Sequence, residues 1–203
     1  AASDVYKRQV LEKILQNDFI GPQVNPSRKD QYRIIVYFNG YPFVVPLVID
    51  KNGTLSIKAG TRVEFWGPYK IIVKGSIKTT GNVTDLVLFS IADTTGFSKF
   101  DNAGWRGIEF DNTTGIIQDS SIFNYCVIQF NKDTNDYNWY GIQLKGLIKA
   151  RDLSKLQISN CEFKNNYFEA DTWMLNGLIS LYGTDNIIIR NNKFTNNNST
   201  VLA

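Results

Sequence analysis

The sequence predicts an all-β solenoid, in which short strands stack on their counterparts in successive repeats of the chain. The 203 residues are rich in Ile, Thr, Asn and aromatic side chains, a composition that favours short strands joined by tight turns. Two sequence phrases also recur in the same order, and no helical period survives between them. A repeat built from such strands cannot bury its own apolar side chains, so successive repeats must stack.

The first thirty residues are predicted to lie outside the solenoid. Residues 1–9, AASDVYKRQ, resemble the translation of a sequencing adapter, and we interpret them as the scar of a metagenomic fragment. Residues 10–16, VLEKILQ, carry an apolar helical face and predict a short N-terminal helix. Pro, Gly and polar residues at 21–30 indicate a linker.

Residues 31–203 are predicted to form one β-domain. The runs VVPLVID, TLSIKAGTRVEF, KIIVKGSIKTTG and DLVLFS follow one another between turn residues, without the helical crossovers of a βαβ plan. The final stretch, NNKFTNNNSTVLA, stops where another repeat would begin and carries no polar cap. We therefore expect the domain to be truncated at its C-terminal end.

The first repeated phrase occurs three times: WRGIEF at residues 105–110, WYGIQL at 139–144 and, more weakly, NGLISL at 176–181. Aligning the first two copies predicts that Ile108 stacks on Ile142 and that Phe110 stacks on Leu144. Because strand side chains alternate between faces, these apolar residues are expected to point inward together.

The second phrase reads FNYCVIQFN from Phe123, ISNCEFKNN from Ile158 and IRNNKFTNN from Ile189. It predicts two further inward ladders across three repeats. These ladders are Phe123 with Ile158 and Ile189, and Ile128 with Phe163 and Phe194.

The run of TLSIKAGTRVEF, IIVKGSIKTTG, LVLFS and WRGIEF resembles the opening coils of right-handed parallel β-helix proteins from bacterial surfaces. The later NN-x-F-x-NN phrases are similar to the repeat of the pectin-lyase-like superfamily. This resemblance covers roughly residues 44–203 and implies a right-handed, single-stranded parallel β-helix at an extracellular or cell-surface location. It implies no particular activity, because the superfamily includes both enzymes and inert scaffolds.

Composition excludes several classes of function. The formal charge of +3, from 22 Lys and Arg against 19 Asp and Glu, is too small and scattered to predict a nucleic-acid partner. No apolar run is long enough to cross a membrane, so no membrane insertion is expected. The chain has no His, hence no imidazole base, and its two Cys lack metal-ligand spacing. We expect neither a metal nor an organic cofactor.

Matched Cys and Asn residues are interpreted as structural. Cys126 and Cys161 occupy the place of Asn192 in successive repeats, and we expect two buried thiols because neighbouring parallel strands disfavour a disulfide. The matched asparagines are expected to form a turn ladder and not a sugar or calcium site. These pairs are Asn160 with Asn191, Asn165 with Asn196, and Asn166 with Asn197.

Acidic residues on the strands are not expected to form a catalytic dyad. The predicted register places each acid beside an amide or a cation, which suits cross-strand pairing. The expected neighbours are Glu109 with Gln143, Asp111 with Lys145, and Glu162 with Lys193.

The aromatic residues that introduce successive repeats are the candidate ligand site. Trp105, Trp139 and Trp173 lie at this place, and Tyr137 and Tyr140 flank the second of them. A row of aromatic rings suits stacking on the sugars of a polysaccharide. The alternative, which we favour, is that each Trp closes the apolar interior beneath its own loop.

These observations predict a non-catalytic extracellular scaffold, with carbohydrate binding or adhesion to a polysaccharide or cell-surface glycan as the hypothesis. One alternative is a polysaccharide lyase or glycoside hydrolase of the pectin-lyase-like superfamily, with catalytic coils partly beyond residue 203. The second alternative is a purely structural spacer. Glycan binding separates the scaffold from the spacer, and a cluster of acids on one sheet would favour the enzyme.

Overall fold

The protein is all-β with parallel sheets in the part of the chain that the structure describes, and this confirms the predicted class. The structure is a computed structural model. It describes residues 32–34, 37–38, 41–42, 47–65, 67–97, 103–111, 120–133, 144–168 and 175–198. Within these ranges the regular secondary structure consists of β-strands, which are numbered β1 to β22 in chain order. The expected adapter scar, N-terminal helix and linker at 1–30 lie outside the described residues.

Three parallel sheets make up most of the structure. Sheet I contains, in spatial order, β4 (Leu47–Ile49), β7 (Ile71–Val73), β10 (Ile108–Phe110), β15 (Ile148–Arg151) and β20 (Ile179–Tyr182). Sheet II contains β5 (Thr54–Lys58), β8 (Ser76–Thr80), β11 (Ser121–Asn124), β16 (Ser154–Ser159) and β21 (Asp185–Arg190). Sheet III contains β1 (Tyr32–Ile34), β6 (Thr61–Phe65), β9 (Val87–Ile91), β12 (Cys126–Gln129), β17 (Glu162–Lys164) and β22 (Lys193–Thr195).

From β4 onwards the chain visits sheets I, II and III in the same cyclic order, and each circuit is here termed a pass. Neighbouring strands of each sheet therefore come from successive passes, and each inner strand pairs with the strand of the previous pass and with that of the next. An antiparallel hairpin of β2 (Tyr37–Phe38) and β3 (Tyr41–Pro42) precedes the first pass. Two short parallel pairs complete the list: β13 (Lys132–Asp133) with β18 (Tyr167–Phe168), and β14 (Leu144–Lys145) with β19 (Leu175–Asn176).

Alternating side chains explain how the passes bury a common core. In sheet I, Ile71, Ile108, Ile148 and Ile179 pair in register through four passes, and each is fully buried. Burying an Ile side chain contributes about 1.5–3 kcal/mol, which a single pass could not gain without its neighbours. The repeated isoleucines thus stabilise the stack and set its register.

The ladders of the second phrase are confirmed. Phe123, Ile158 and Ile189 pair in register across sheet II, and Ile128, Phe163 and Phe194 do so across sheet III. The rings of Phe163 and Phe194 stack with centroids 5.0 Å apart and an interplanar angle of 10°. In the last described pass Ile187, Ile189 and Phe194 are only partly buried, since no described strand stacks beyond it.

The register predicted from the first phrase is wrong in its middle copy. Ile108 pairs with Ile148 and Phe110 with Ala150, so neither stacks on Ile142 or Leu144. Leu144 instead belongs to β14 and pairs with Leu175. The true copy is KGLIKA at 145–150, which pairs with GLISL of the third copy because a segment is inserted before it.

Candidate functional site: the insertions between sheets III and I

Two passes carry an inserted segment where the chain crosses from sheet III to sheet I. Trp105 bridges Asn131 of the next pass, and three residues after Trp105 the chain reaches Ile108 of sheet I. From Asn131 the same crossing takes seventeen residues to reach Ile148, and from Asn166 it takes thirteen to reach Ile179. The added residues are 132–145 and 167–176, here termed the corner insertions.

The two corner insertions leave and return side by side. Asp133 pairs with Phe168 where they leave, and Leu144 pairs with Leu175 where they return. The residues between these strands, 134–143 and 169–174, include four of the five candidate ligand residues: Tyr137, Trp139, Tyr140 and Trp173. These four lie outside the described residues, so their contact with carbohydrate stays a prediction.

The described strands of the insertions, β13, β14, β18 and β19, are here termed the strap, and they cover part of the outer face of sheet I. Ile72, Glu109, Lys149 and Ser180 form one outward row in register. Ile72 and Glu109 are half-buried, whereas Lys149 is 8 % exposed and Ser180 is 0 % exposed. The Ser180 hydroxyl donates to the Lys145 carbonyl of the strap. Polar residues that would otherwise face water are therefore buried beneath the strap.

A buried ion pair joins the strap to sheet I. Lys149 Nζ lies 3.2 Å from Asp133 Oδ2, and the two side chains are only 9 % and 11 % exposed. The same carboxylate oxygen accepts a hydrogen bond of 3.0 Å from the Gly146 amide, while Lys149 Nζ also donates to the Arg106 carbonyl at 3.4 Å. Such a pair gains little net stability, because desolvation offsets its attraction, but losing one partner strands a buried charge.

A second buried lysine lies between two aromatic rings at the base of the strap. Lys132 Nζ is 5.6 Å from the centroid of the Phe97 ring and 5.4 Å from that of Tyr167. It also donates a 2.8 Å hydrogen bond to the Phe97 carbonyl. Aromatic faces attract a cation, so this arrangement holds β13 next to β18 without an apolar side chain.

Trp105 is a core residue and not an exposed platform. Its side chain is fully buried, its indole stacks on the Phe65 ring with centroids 4.3 Å apart, and Nε1 donates 2.9 Å to the Gln129 carbonyl. No face of this indole is open to a sugar ring. Trp105 therefore fits the interpretation in which the Trp closes the apolar interior. The candidate ligand residues that remain are the four aromatic residues of the corner insertions.

Asparagines fix the turn from which the insertions depart, which confirms the predicted amide ladder. Asn166 Oδ1 accepts from the Asn131 amide at 3.0 Å, and Asn197 Oδ1 accepts from the Asn166 amide at 3.0 Å. Asn165 and Asn196 precede these positions with φ of 55° and 52°, a left-handed conformation that Asn tolerates. Asn165 and Asn196 thus build matching turns, and the side-chain amides of Asn166 and Asn197 are hydrogen-bonded within the ladder.

The cysteines are buried free thiols, as predicted. Cys126 and Cys161 are 1 % and 2 % exposed, and Cys126 Sγ lies 3.0 Å from Thr79 Oγ1. Burial raises the pKa of the Cys126 thiol well above its ordinary value, which keeps it protonated and a poor nucleophile at neutral pH.

The strand acids meet cations, although two of the three predicted partners are wrong. Glu109 pairs in register with Lys149, where Gln143 was predicted, and binds Lys70 at 2.8 Å. Asp111 lies 3.7 Å from Lys74, and Lys145 pairs in register with Asn176, because the predicted register ignored the insertion. The pairing of Glu162 with Lys193 is confirmed, with an N···O distance of 3.2 Å.

The ionisation of Glu162 should make the free energy of unfolding depend on pH. A hydrogen bond from Lys193 lowers the pKa of Glu162, so the ionised form stabilises the folded state above the unfolded-state pKa. That contribution should be complete above the unfolded-state pKa and should fall as pH drops through the lower folded-state pKa. We expect Glu162→Gln to cost about 0.2–1 kcal/mol at pH 7, measured by urea unfolding, and the cost should shrink steadily as the solution is made more acidic. A cost that does not change between neutral and acidic pH would contradict this assignment.

Comparison with protein-family models, with curated proteins and with solved structures finds no significant match to this chain. Among the described residues, no group of three or more His, Cys, Asp or Glu is placed to hold a metal ion. The same part of the chain contains no helix of the length and apolarity needed to span a membrane.

The strap and its buried charges escaped sequence reasoning. Lys132 and Asp133 belong to no repeated phrase, Lys149 lies in the copy KGLIKA that the letter alignment missed, and polar residues are ordinarily expected at the surface. The spacing between copies of the first phrase contained a signal that could have located the insertion. KGLIKA and NGLISL are separated by 31 residues, the same offset as Glu162 and Lys193 in the second phrase. Aligning on that offset would have exposed the insertion at 132–145.

Proposed function

We propose that this chain is a right-handed, single-stranded parallel β-helix that serves as a non-catalytic extracellular or cell-surface scaffold, and that its corner insertions contact carbohydrate. The repeated passage of the chain through sheets I, II and III in the same order supports the β-helix. Right-handedness follows from the strong preference of crossovers between parallel strands. The bacterial-surface setting rests on the resemblance of the repeat phrases to that family.

One observation carries the carbohydrate-binding part of the proposal. The two segments that hold Tyr137, Trp139, Tyr140 and Trp173 begin and end on paired strands of adjacent passes. Four aromatic residues therefore belong to segments that start and finish at one crossing of the fold, and the proposal is that neighbouring passes offer them to successive sugars of one polymer. Stacked rings supply apolar area beside polar hydroxyls.

A glycan array with purified full chain tests this proposal. We expect Trp139→Ala combined with Trp173→Ala to weaken binding to the best glycan at least tenfold, which corresponds to about 1.4 kcal/mol. Tyr182→Ala is the matched control, since Tyr182 is 41 % exposed on sheet I and outside the insertions. It should leave binding unchanged.

The remaining outcomes discriminate the rival functions. Unchanged binding in the double Trp variant would overturn the role of the insertions. Absence of binding to any glycan would favour a structural spacer. Cleavage of a bound polysaccharide would instead establish the lyase or hydrolase.

A further inference from the structure

The outer row of sheet I changes environment where the strap begins. Ile72 and Glu109 are half-buried, but Lys149 and Ser180 in the same row are almost fully buried although they point away from the core. Because strand side chains alternate between faces, all four side chains lie on the outer face of sheet I and would face water if nothing covered them. The described strap residues thus contact the last two strands of sheet I, where the outer residues are buried, whereas the outer residues of β7 and β10 are half-buried.

The buried side chains of the strap, among those that the structure describes, are polar. The strap strands are two residues long, and these side chains are Lys132, Asp133 and Lys145. The strands beneath it bury Ile148, Ala150 and Ile179 in a five-stranded ladder. Segments with little buried apolar surface open locally at lower free energy than strands of the core.

We propose that the strap opens as a unit while the three sheets stay folded, and that the Lys149–Asp133 ion pair is the latch that holds it closed. Asp133 Oδ2 binds Lys149 Nζ of sheet I and the Gly146 amide just after β14. One carboxylate therefore fastens both the departing and the returning end of the first insertion. Opening brings Lys149 and Ser180, on the outer face of sheet I, to solvent.

Amide hydrogen exchange in the full chain tests this latch. The Lys132 amide reports opening, since it donates to the Trp105 carbonyl at 2.9 Å and not to Asp133. The Ile148 amide is the reference, because it donates to the Leu178 carbonyl at 2.9 Å within the layer under the strap. In Asp133→Asn we expect exchange at Lys132 to accelerate at least tenfold while exchange at Ile148 stays unchanged. Asp185→Asn, at an exposed acid of β21, should alter neither amide.

Four results would overturn the proposal. Equal acceleration at Lys132 and Ile148, or failure of Asp133→Asn to fold, would mean that the ion pair supports the whole domain. Unchanged exchange at Lys132 would mean that the pair is no latch. A third variant, Lys149→Met with Asp133→Leu, removes both charges together and should exchange more slowly at Lys132 than Asp133→Asn, because no buried charge is left alone. Exchange as fast as in the single variant would also refute the latch. None of these measurements involves a glycan, so their failure is separate from failure of the proposed function.

Discussion

Replacing Trp105 by Ala is expected to destabilise the protein by about 3–5 kcal/mol, the range for removing a large buried aromatic side chain. The indole is fully buried against Phe65 and Phe89, with ring centroids 4.3 Å and 6.2 Å away. Its removal would leave a cavity in a closely packed interior and strip the Gln129 carbonyl of its hydrogen bond. Urea unfolding, followed by circular dichroism, measures the loss.

Trp105→Phe is the matched control for this effect. The smaller ring retains stacking on Phe65 but loses the Nε1–H donor, so we expect an intermediate cost of about 1–3 kcal/mol. If Trp105→Ala left stability unchanged and abolished glycan binding instead, the indole would be an exposed ligand platform after all. This one substitution therefore separates core packing from sugar stacking.

Replacing Gly146 by Ala is expected to cost about 3 kcal/mol or more, since two independent steric conflicts meet at this residue. Its φ of 140° lies in a region that residues with a Cβ rarely adopt. A Cβ there would also lie 1.8 Å from the Gly177 carbonyl oxygen of the next pass, a rigid backbone atom. The two passes would have to separate locally.

Gly60→Ala isolates the backbone part of this penalty. Gly60 also has a positive φ, of 75°, but a Cβ at that position meets nothing within 4 Å. We expect a cost of about 1–2 kcal/mol from the left-handed conformation alone. Thermal unfolding of both variants would measure the difference, and equal destabilisation would show that the approach to Gly177 carries no weight.

The second repeated phrase could be predicted in register because nothing interrupts it. Between Phe123 and Ile128, and between Ile158 and Phe163, the chain turns once through a single residue of positive φ, Tyr125 in the first copy and Asn160 in the second, so the turn length is fixed. Constant turn length preserves the spacing of inward residues, so aligned letters become stacked side chains. The buried thiols and the pairing of Glu162 with Lys193 followed from the same alignment.

The first phrase failed because its presumed middle copy, WYGIQL at 139–144, lies inside the insertion at 132–145. WYGIQL resembles WRGIEF in sequence, but its Leu144 belongs to the strap and pairs with Leu175. Local similarity cannot distinguish a strand that stacks in register from another segment with similar letters. The competing KGLIKA has a weaker resemblance, yet its Ile148 completes the buried ladder.

The sequence by itself determined the all-β class and the inward ladders of the second phrase, because alternation and repeat spacing follow from strand geometry. Only the tertiary structure decided which segment lies over sheet I, and hence why Lys149, Asp133 and Ser180 are buried. Burial of a polar side chain depends on what the rest of the chain places above it, and a local pattern does not encode that.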